Sequence, residues 1–308
     1  MALALPKRLG GLSMAAEKSQ EKKLPDTGLL LVGMGMGHVN GMTVEALDAA
    51  AAADHRRYEA YTALWPEEEL ALLEQRIGAI ERVMRPEVEE PAELFRLAET
   101  SLVALLVVGD PLQATTHVDL QLRARSAGIE CRVFHGVSIT SLVTGAVGLS
   151  NYKFGRQTTF TYPYGTWVAT SPLEVLANNW GHGLHTLALL DLDPTGQGTG
   201  DQRPMTPKDA AEAMRLMWTK ATEAMEERRL EPAPQQTMNP FLDPYLEQDL
   251  EGVPVVLCAD MGTSEQSIVA TTVGALESEM GGRLNCLVFP ASTGEIEEQG
   301  LARWKRGA

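Results

Sequence analysis

The chain has 308 residues, 44% of them hydrophobic, and a formal net charge of −15. That is enough apolar material for one large or two ordinary cores, and the acidity excludes the basic stripe by which nucleic-acid surfaces are recognised. No apolar run reaches the roughly 18–20 residues that span a bilayer. Residues 1–28 carry Lys7, Arg8, Lys18, Lys22 and Lys23 among short apolar patches, without the apolar middle of a secretory signal, and read as a mobile tail.

Leu29-Leu30-Leu31-Val32 predicts a short buried strand, followed directly by Gly33-Met34-Gly35-Met36-Gly37-His38. A dinucleotide fingerprint would need glycine where His38 stands, and a P-loop would need Gly-Lys-Ser/Thr, so both fail. What remains is a turn that lets a ligand come close to the backbone, then Thr43 as a cap before a helix over 44–53. The stretch 54–61 places Tyr58 and Tyr61 in a polar setting, and helices are predicted over 67–77 and 92–99.

Residues 102–108 form an unbroken Val/Leu run, the pattern of a strand buried on both faces, and Gly109-Asp110-Pro111 ends it. A helix over 116–127 with Gly128 as its stop and a strand over 129–134 complete a βαβ unit. The hydroxyl-rich segment 135–141 then lies on the same sheet edge as Asp110, and in open parallel sheets ligands sit at that edge. On local grounds Asp110 is either a turn and cap residue or a ligand-facing carboxylate.

In the second half, 158–162 and 185–190 are strand-like, and a Pro/Gly/Asp-rich insertion runs over 191–204. Thr206 caps and Pro207 opens a helix continuing over 210–229. The proline-rich stretch 231–254 reads as a surface loop, with strands at 255–258 and 285–289 and a helix across 264–279. The alternation predicts two α/β domains, 29–137 and 138–308. Cys131, Cys258 and Cys286 are widely spaced with no Cys-x-x-Cys pair, which indicates buried thiols of a reducing, cytoplasmic compartment and no metal site.

Taken together, the glycine turn ending at Gly37, Tyr58-Glu59-Ala60-Tyr61-Thr62, the 108–117 segment ending Ala114-Thr115-Thr116-His117, Tyr152-Lys153-Phe154-Gly155 and the 184–191 segment beginning Leu184-His185-Thr186-Leu187 resemble the diphthine synthase family. That family is a branch of the tetrapyrrole-methylase-like methyltransferases that use S-adenosyl-L-methionine. The resemblance implies two α/β domains of the tetrapyrrole methylase type with the methyl donor in the cleft between them, commonly in a homodimer. It also implies a protein substrate, translation elongation factor 2, methylated on the amino group of the 3-amino-3-carboxypropyl arm of its modified histidine. Carried over by motif, the donor-binding positions are Met36, Asp110, Gln113, Ser138, Ile139, Leu190, Met261 and Asn285.

Three positions depart from the family pattern. Met261 stands where Ala or Val is usual, Asn285 where His is usual, and Asp260 replaces the arginine of Leu-Ala-Arg-x-Gly. Methyl transfer from a sulfonium is an in-line displacement and mainly a positioning task, so no catalytic triad is expected. His38, His117 and His185 are each expected to be structural, and Lys153 either lines the protein-substrate side or is a solvated charge. Other readings are a tetrapyrrole or RNA methyltransferase of the same group, a nicotinamide-dependent dehydrogenase, or a non-catalytic relic.

Overall fold

The computed structural model describes residues 23–200, 202–230 and 239–306. The tail reading of residues 1–22 and the loop reading of 231–238 lie outside the described residues.

The first half contains β1 (Gly28–Gly33), α1 (Val44–Ala52), β2 (His55–Glu59), α2 (Glu67–Ile77), β3 (Glu81–Val83), α3 (Arg85–Glu89), α4 (Ala92–Ala98), β4 (Leu102–Val107), α5 (His117–Ser126), β5 (Cys131–Phe134) and α6 (Ile139–Ala146). Its five strands pair in the order β3-β2-β4-β1-β5, all parallel. β1 and β4 are buried along their whole lengths, as their continuous Leu/Val runs require when helices cover both faces. Thr43 caps α1 by accepting from Ala46 N at 3.1 Å, as predicted. The β4–α5–β5 crossover steps over β1, so the two polar loops flank the loop after β1.

The segment 54–61 is not a polar connection. It supplies β2, and Tyr58 and Tyr61 are buried. Its charges concealed the strand: Arg56 turns back to donate to the carbonyls of Ala50, Ala51 and Ala53, closing the carboxyl end of α1.

The second half adds β6 (Thr158–Phe160), α7 (Ser171–Gly181), β7 (Thr186–Leu190), α8 (Pro207–Leu230), α9 (Leu242–Leu246), β8 (Pro254–Ala259), β9 (Ser267–Thr272), α10 (Val273–Leu276), β10 (Asn285–Phe289) and α11 (Glu295–Ala302). The strand order is β6-β7-β10-β8-β9, with β6 parallel to β7 and the other pairs antiparallel. Two expectations are corrected here. The helix expected across 264–279 is β9 followed by the short α10, because the β-branched run Ile268-Val269-Ala270-Thr271-Thr272 pairs along β8 as an edge strand. The expected surface loop contains α9, whose Leu242, Tyr245 and Leu246 are buried in the same core as Met214, Met217 and Trp218 of α8.

Candidate functional site

Three loops leave the carboxyl edge of the first sheet and close on one another through glycine backbones. A Cβ at Gly33 would lie 2.5 Å from Gly136 N and 2.8 Å from Gly109 O, and a Cβ at Gly136 would lie 2.3 Å from Gly109 O. Gly35 and Gly109 exchange main-chain hydrogen bonds of 3.1 and 2.9 Å. The glycine run after β1 is therefore required by the packing of loop on loop, which explains its failure to match any phosphate-binding fingerprint.

The opposite wall comes from the second sheet, where the end of β7, the end of β8 and the start of β10 are adjacent in register, Leu189 opposite Cys286 and Ala259 opposite Asn285. Between the two edges lies a cavity of about 170 Å³. Of the eight expected donor-binding residues, seven line it: Met36, Gln113, Ser138, Ile139, Leu190, Met261 and Asn285. The wall also includes residues that no sequence motif had marked for this role, notably Thr62 and Leu64 after β2, Leu192, and Arg283. Thr62 ends the motif Tyr58-Glu59-Ala60-Tyr61-Thr62, whose strand the charges conceal, and Leu64 follows two residues on. Tyr58 fixes that turn, its hydroxyl accepting from Trp65 N at 2.8 Å, and burial pushes its phenol up to about 12.

Asp110 is the eighth residue, and its buried carboxylate is turned into the loops. Oδ1 accepts from Leu112 N at 2.9 Å, while Oδ2 lies 2.7 Å from His135 Nδ1 and accepts from Gly136 N at 3.3 Å. It thereby ties the loop after β4 to the loop after β5. The far end of the first loop is tied by His117, whose Nδ1 lies 3.1 Å from Pro111 O. A carbonyl only accepts, so Nδ1 carries a hydrogen, and Nε2 then faces Glu59 Oε2 at 2.8 Å with both groups almost wholly buried. Thr62 donates from the cavity wall to the other oxygen of Glu59. Between these ties the loop includes Ala114 at φ +54°, in the left-handed region, and Ala114 lines the cavity.

Ser138 caps α6, so the amino end of that helix opens on the cavity. Cys258 and Cys286 face each other across β8 and β10 in the cavity floor, and the neighbouring thiol together with burial raises Cys258 well above an ordinary thiol. Among the described residues no group of His, Cys, Asp and Glu is arranged to hold a metal.

His185 and Lys153 meet away from the cavity, on Glu297 of α11. Lys153 Nζ lies 2.6 Å from Glu297 Oε2 and His185 Nε2 3.1 Å from Oε1, while Ser150 N and Gly294 N each donate to the carboxylate at 3.0 Å. Burial alone would raise this carboxyl, but Lys153, the two main-chain donors and His185 hold it well below the usual carboxylate range. His185 Nδ1 accepts from Ala291 N at 2.9 Å, and burial outweighs Glu297 in lowering the imidazole. Lys153 and His185, singled out by two motifs, therefore join the segments before β6 and before β7 to α11.

Two α/β sheets whose edges share one cavity are the architecture of the tetrapyrrole-methylase class. The chain belongs to the tetrapyrrole (corrin/porphyrin) methylase family, whose sequence profile matches residues 28–277, and within it to the diphthine synthases. It is 34% identical to the diphthine synthase of Methanothermobacter thermautotrophicus over 87% of this chain and 92% of that one. It is 31% identical to the diphthine synthase of Methanocella arvoryzae over 89% of this chain and 96% of that one. A crystal structure of a diphthine synthase superposes with a TM-score of 0.72 at 27% identity, covering 90% of this chain and 95% of that chain. The protein is a methyltransferase.

Proposed function

We propose that this protein transfers methyl groups from S-adenosyl-L-methionine to the amino group of the 3-amino-3-carboxypropyl-histidine of translation elongation factor 2, forming diphthine. The observation that carries this reading is the convergence of seven expected donor positions from both halves of the chain on one cavity. The residues present suit that donor. Met36, Ile139, Leu190 and Met261 offer an apolar bed for a nucleoside, Gln113 and Thr115 offer polar edges, and the open amino end of α6 at Ser138 and Ile139 suits a carboxylate.

When bound, the donor supplies an electrophilic methyl on a sulfonium. The protein's share is to hold the loops, exclude water with the leucines of β7, and bring an amine lone pair into line with the methyl. The acceptor nitrogen forms a bond to carbon as the carbon–sulfur bond breaks, and the proton lost from the amine passes to solvent. His117 and His185 are engaged elsewhere and take no part in that transfer. Asp110 acts on the donor through the two loops it joins. The same reading includes a division of the domains near residue 137, a homodimer, and work in the cytoplasm on a protein substrate without nucleic acid or membrane. Among the described residues no helix is long and apolar enough to cross a membrane.

The test is a calorimetric titration with S-adenosylmethionine and with NAD, followed by methyl transfer to elongation factor 2 bearing the unmethylated arm. Binding of the first ligand alone, with transfer, is expected. Binding without transfer to this acceptor would favour a different substrate or a relic.

A further inference from the structure

Two of the departures from the family pattern act on a single turn. Asp260, at φ +45° beyond the end of β8, accepts from the main-chain N–H groups of Arg283 and Leu284 at 3.0 Å each. From the other side Asn285 Oδ1 accepts from Gly282 N at 2.8 Å, and its Nδ2 donates to the carbonyls of Gly282 and Met205 at 3.1 Å each. The turn has no slack: a Cβ at Gly282 would lie 2.2 Å from Asp260 Oδ2, and one at Gly281 would lie 2.6 Å from Pro207 Cδ. Asp260 and Asn285 thus hold residues 281–284 rigidly, and the turn presents Arg283.

Arg283 is exposed and, among the described residues, makes no ion pair, in contrast to Arg215, which is clasped by Glu251 and Glu277. It lines the donor cavity and also an adjoining cavity of about 310 Å³ whose other walls include Trp65, Arg82 and Gln202. Leu64 is likewise shared by both. A guanidinium held on a rigid turn at the junction of two cavities is a carboxylate anchor, able to form two parallel N–H···O bonds.

We propose that Arg283 binds the carboxylate of the acceptor arm, so that the amine beside it points at the donor methyl. This rests on the functional reading above. In an arm whose amino and carboxylate groups share one carbon, an amine aligned in the donor cavity leaves its carboxylate only a few ångströms away. The adjoining cavity receives it; on its far wall Arg82 is already paired with Glu67, which leaves Arg283 as the unpaired cation among its described lining residues. The donor's own carboxylate has the same chemistry, so the measurement must separate the two.

The test compares wild type, Arg283→Ala and Arg283→Lys by calorimetry with S-adenosylmethionine and by steady-state transfer to elongation factor 2 carrying the unmethylated arm. Arg283→Ala is expected to leave donor affinity within about twofold, while kcat/KM for the acceptor falls by roughly 10- to 100-fold, the loss typical of one charge-assisted hydrogen-bonded pair. Arg283→Lys is expected to recover part of that loss. An acceptor arm with its carboxylate converted to amide should be a poor substrate for wild type and no poorer for Arg283→Ala. Unchanged kcat/KM in Arg283→Ala overturns the assignment, as does donor affinity falling in parallel with kcat/KM. Absence of transfer by the wild-type protein itself overturns the functional reading, and this assignment with it.

Discussion

Replacing Asp110 by Ala removes a carboxylate that is 7% exposed and accepts from two main-chain donors and from His135. Each of these bonds is worth about 0.5–1.5 kcal/mol net, so the folded state should lose about 2–4 kcal/mol. The tie between the loops after β4 and β5 is weakened, with Thr140–Gln113 remaining across them, and both loops line the cavity through Gln113 and Ser138. Reordering them on binding draws on the same energy, so the donor dissociation constant should rise by about 10- to 100-fold, or about 1.4–2.8 kcal/mol. Urea unfolding gives the stability change and calorimetric titration the affinity. Asp110→Asn keeps one acceptor but turns an NH2 group toward Gly136 N–H or His135, so it should recover only part of either loss. A fall in unfolding midpoint with unchanged donor affinity would refute the coupling of these loops to the cavity. Unchanged stability would refute the network itself.

Other consequences are equally open to measurement. Gly136→Ala must force its Cβ against Gly109 O at 2.3 Å, so it should abolish donor binding and lower the melting temperature sharply, whereas Gly145→Ala in α6, with open space around it, should be neutral or stabilising by about 0.5–1 kcal/mol. Glu297→Ala leaves partly exposed Lys153 and buried His185 without their shared carboxylate and removes the acceptor of Ser150 N and Gly294 N, and should cost about 2–3 kcal/mol in urea unfolding. The pH dependence follows from the same cluster. His185 is lowered by burial, so its contribution is complete above about pH 6.5 and is lost as the pH falls toward its folded value. Glu297 is depressed, so its contribution is complete above about pH 4.3 and is lost in stronger acid. The unfolding midpoint of the wild type should therefore decline on acidification from about pH 6.5, and a flat profile between pH 7 and 5 would contradict the neutral, Glu297-bonded imidazole.

The parts of the fold legible in the sequence were those where burial and chemistry agree. The unbroken runs of β1 and β4, the Thr43 cap and the Thr206–Pro207 start of α8 all stand where their local patterns place them. β2 was hidden because His55-Arg56-Arg57 spends its charge on the end of α1 and on Glu81, contacts that no periodicity reveals. β9 was hidden because an edge strand beside a short helix looks like one longer amphipathic segment. At the site, motif carry-over marked seven of the residues that line the cavity, missed others such as Arg283, and did not reveal what the buried ones do. Asp110 joins loops, His117 faces buried Glu59 at 2.8 Å, and His185 and Lys153 converge on a glutamate more than a hundred positions away. Those roles depend on tertiary partners, which lie beyond the reach of local spacing. Asp260 and Asn285, the two departures from the family pattern, clamp the same turn in the structure.

The most direct test of the account is mass spectrometry of elongation factor 2 carrying the unmethylated 3-amino-3-carboxypropyl-histidine, after incubation with this protein and S-adenosylmethionine. The account predicts successive single-methyl increments confined to the peptide with the modified histidine and located on its amino nitrogen. An unchanged mass, with the donor bound and a known diphthine synthase active on the same substrate, would contradict it.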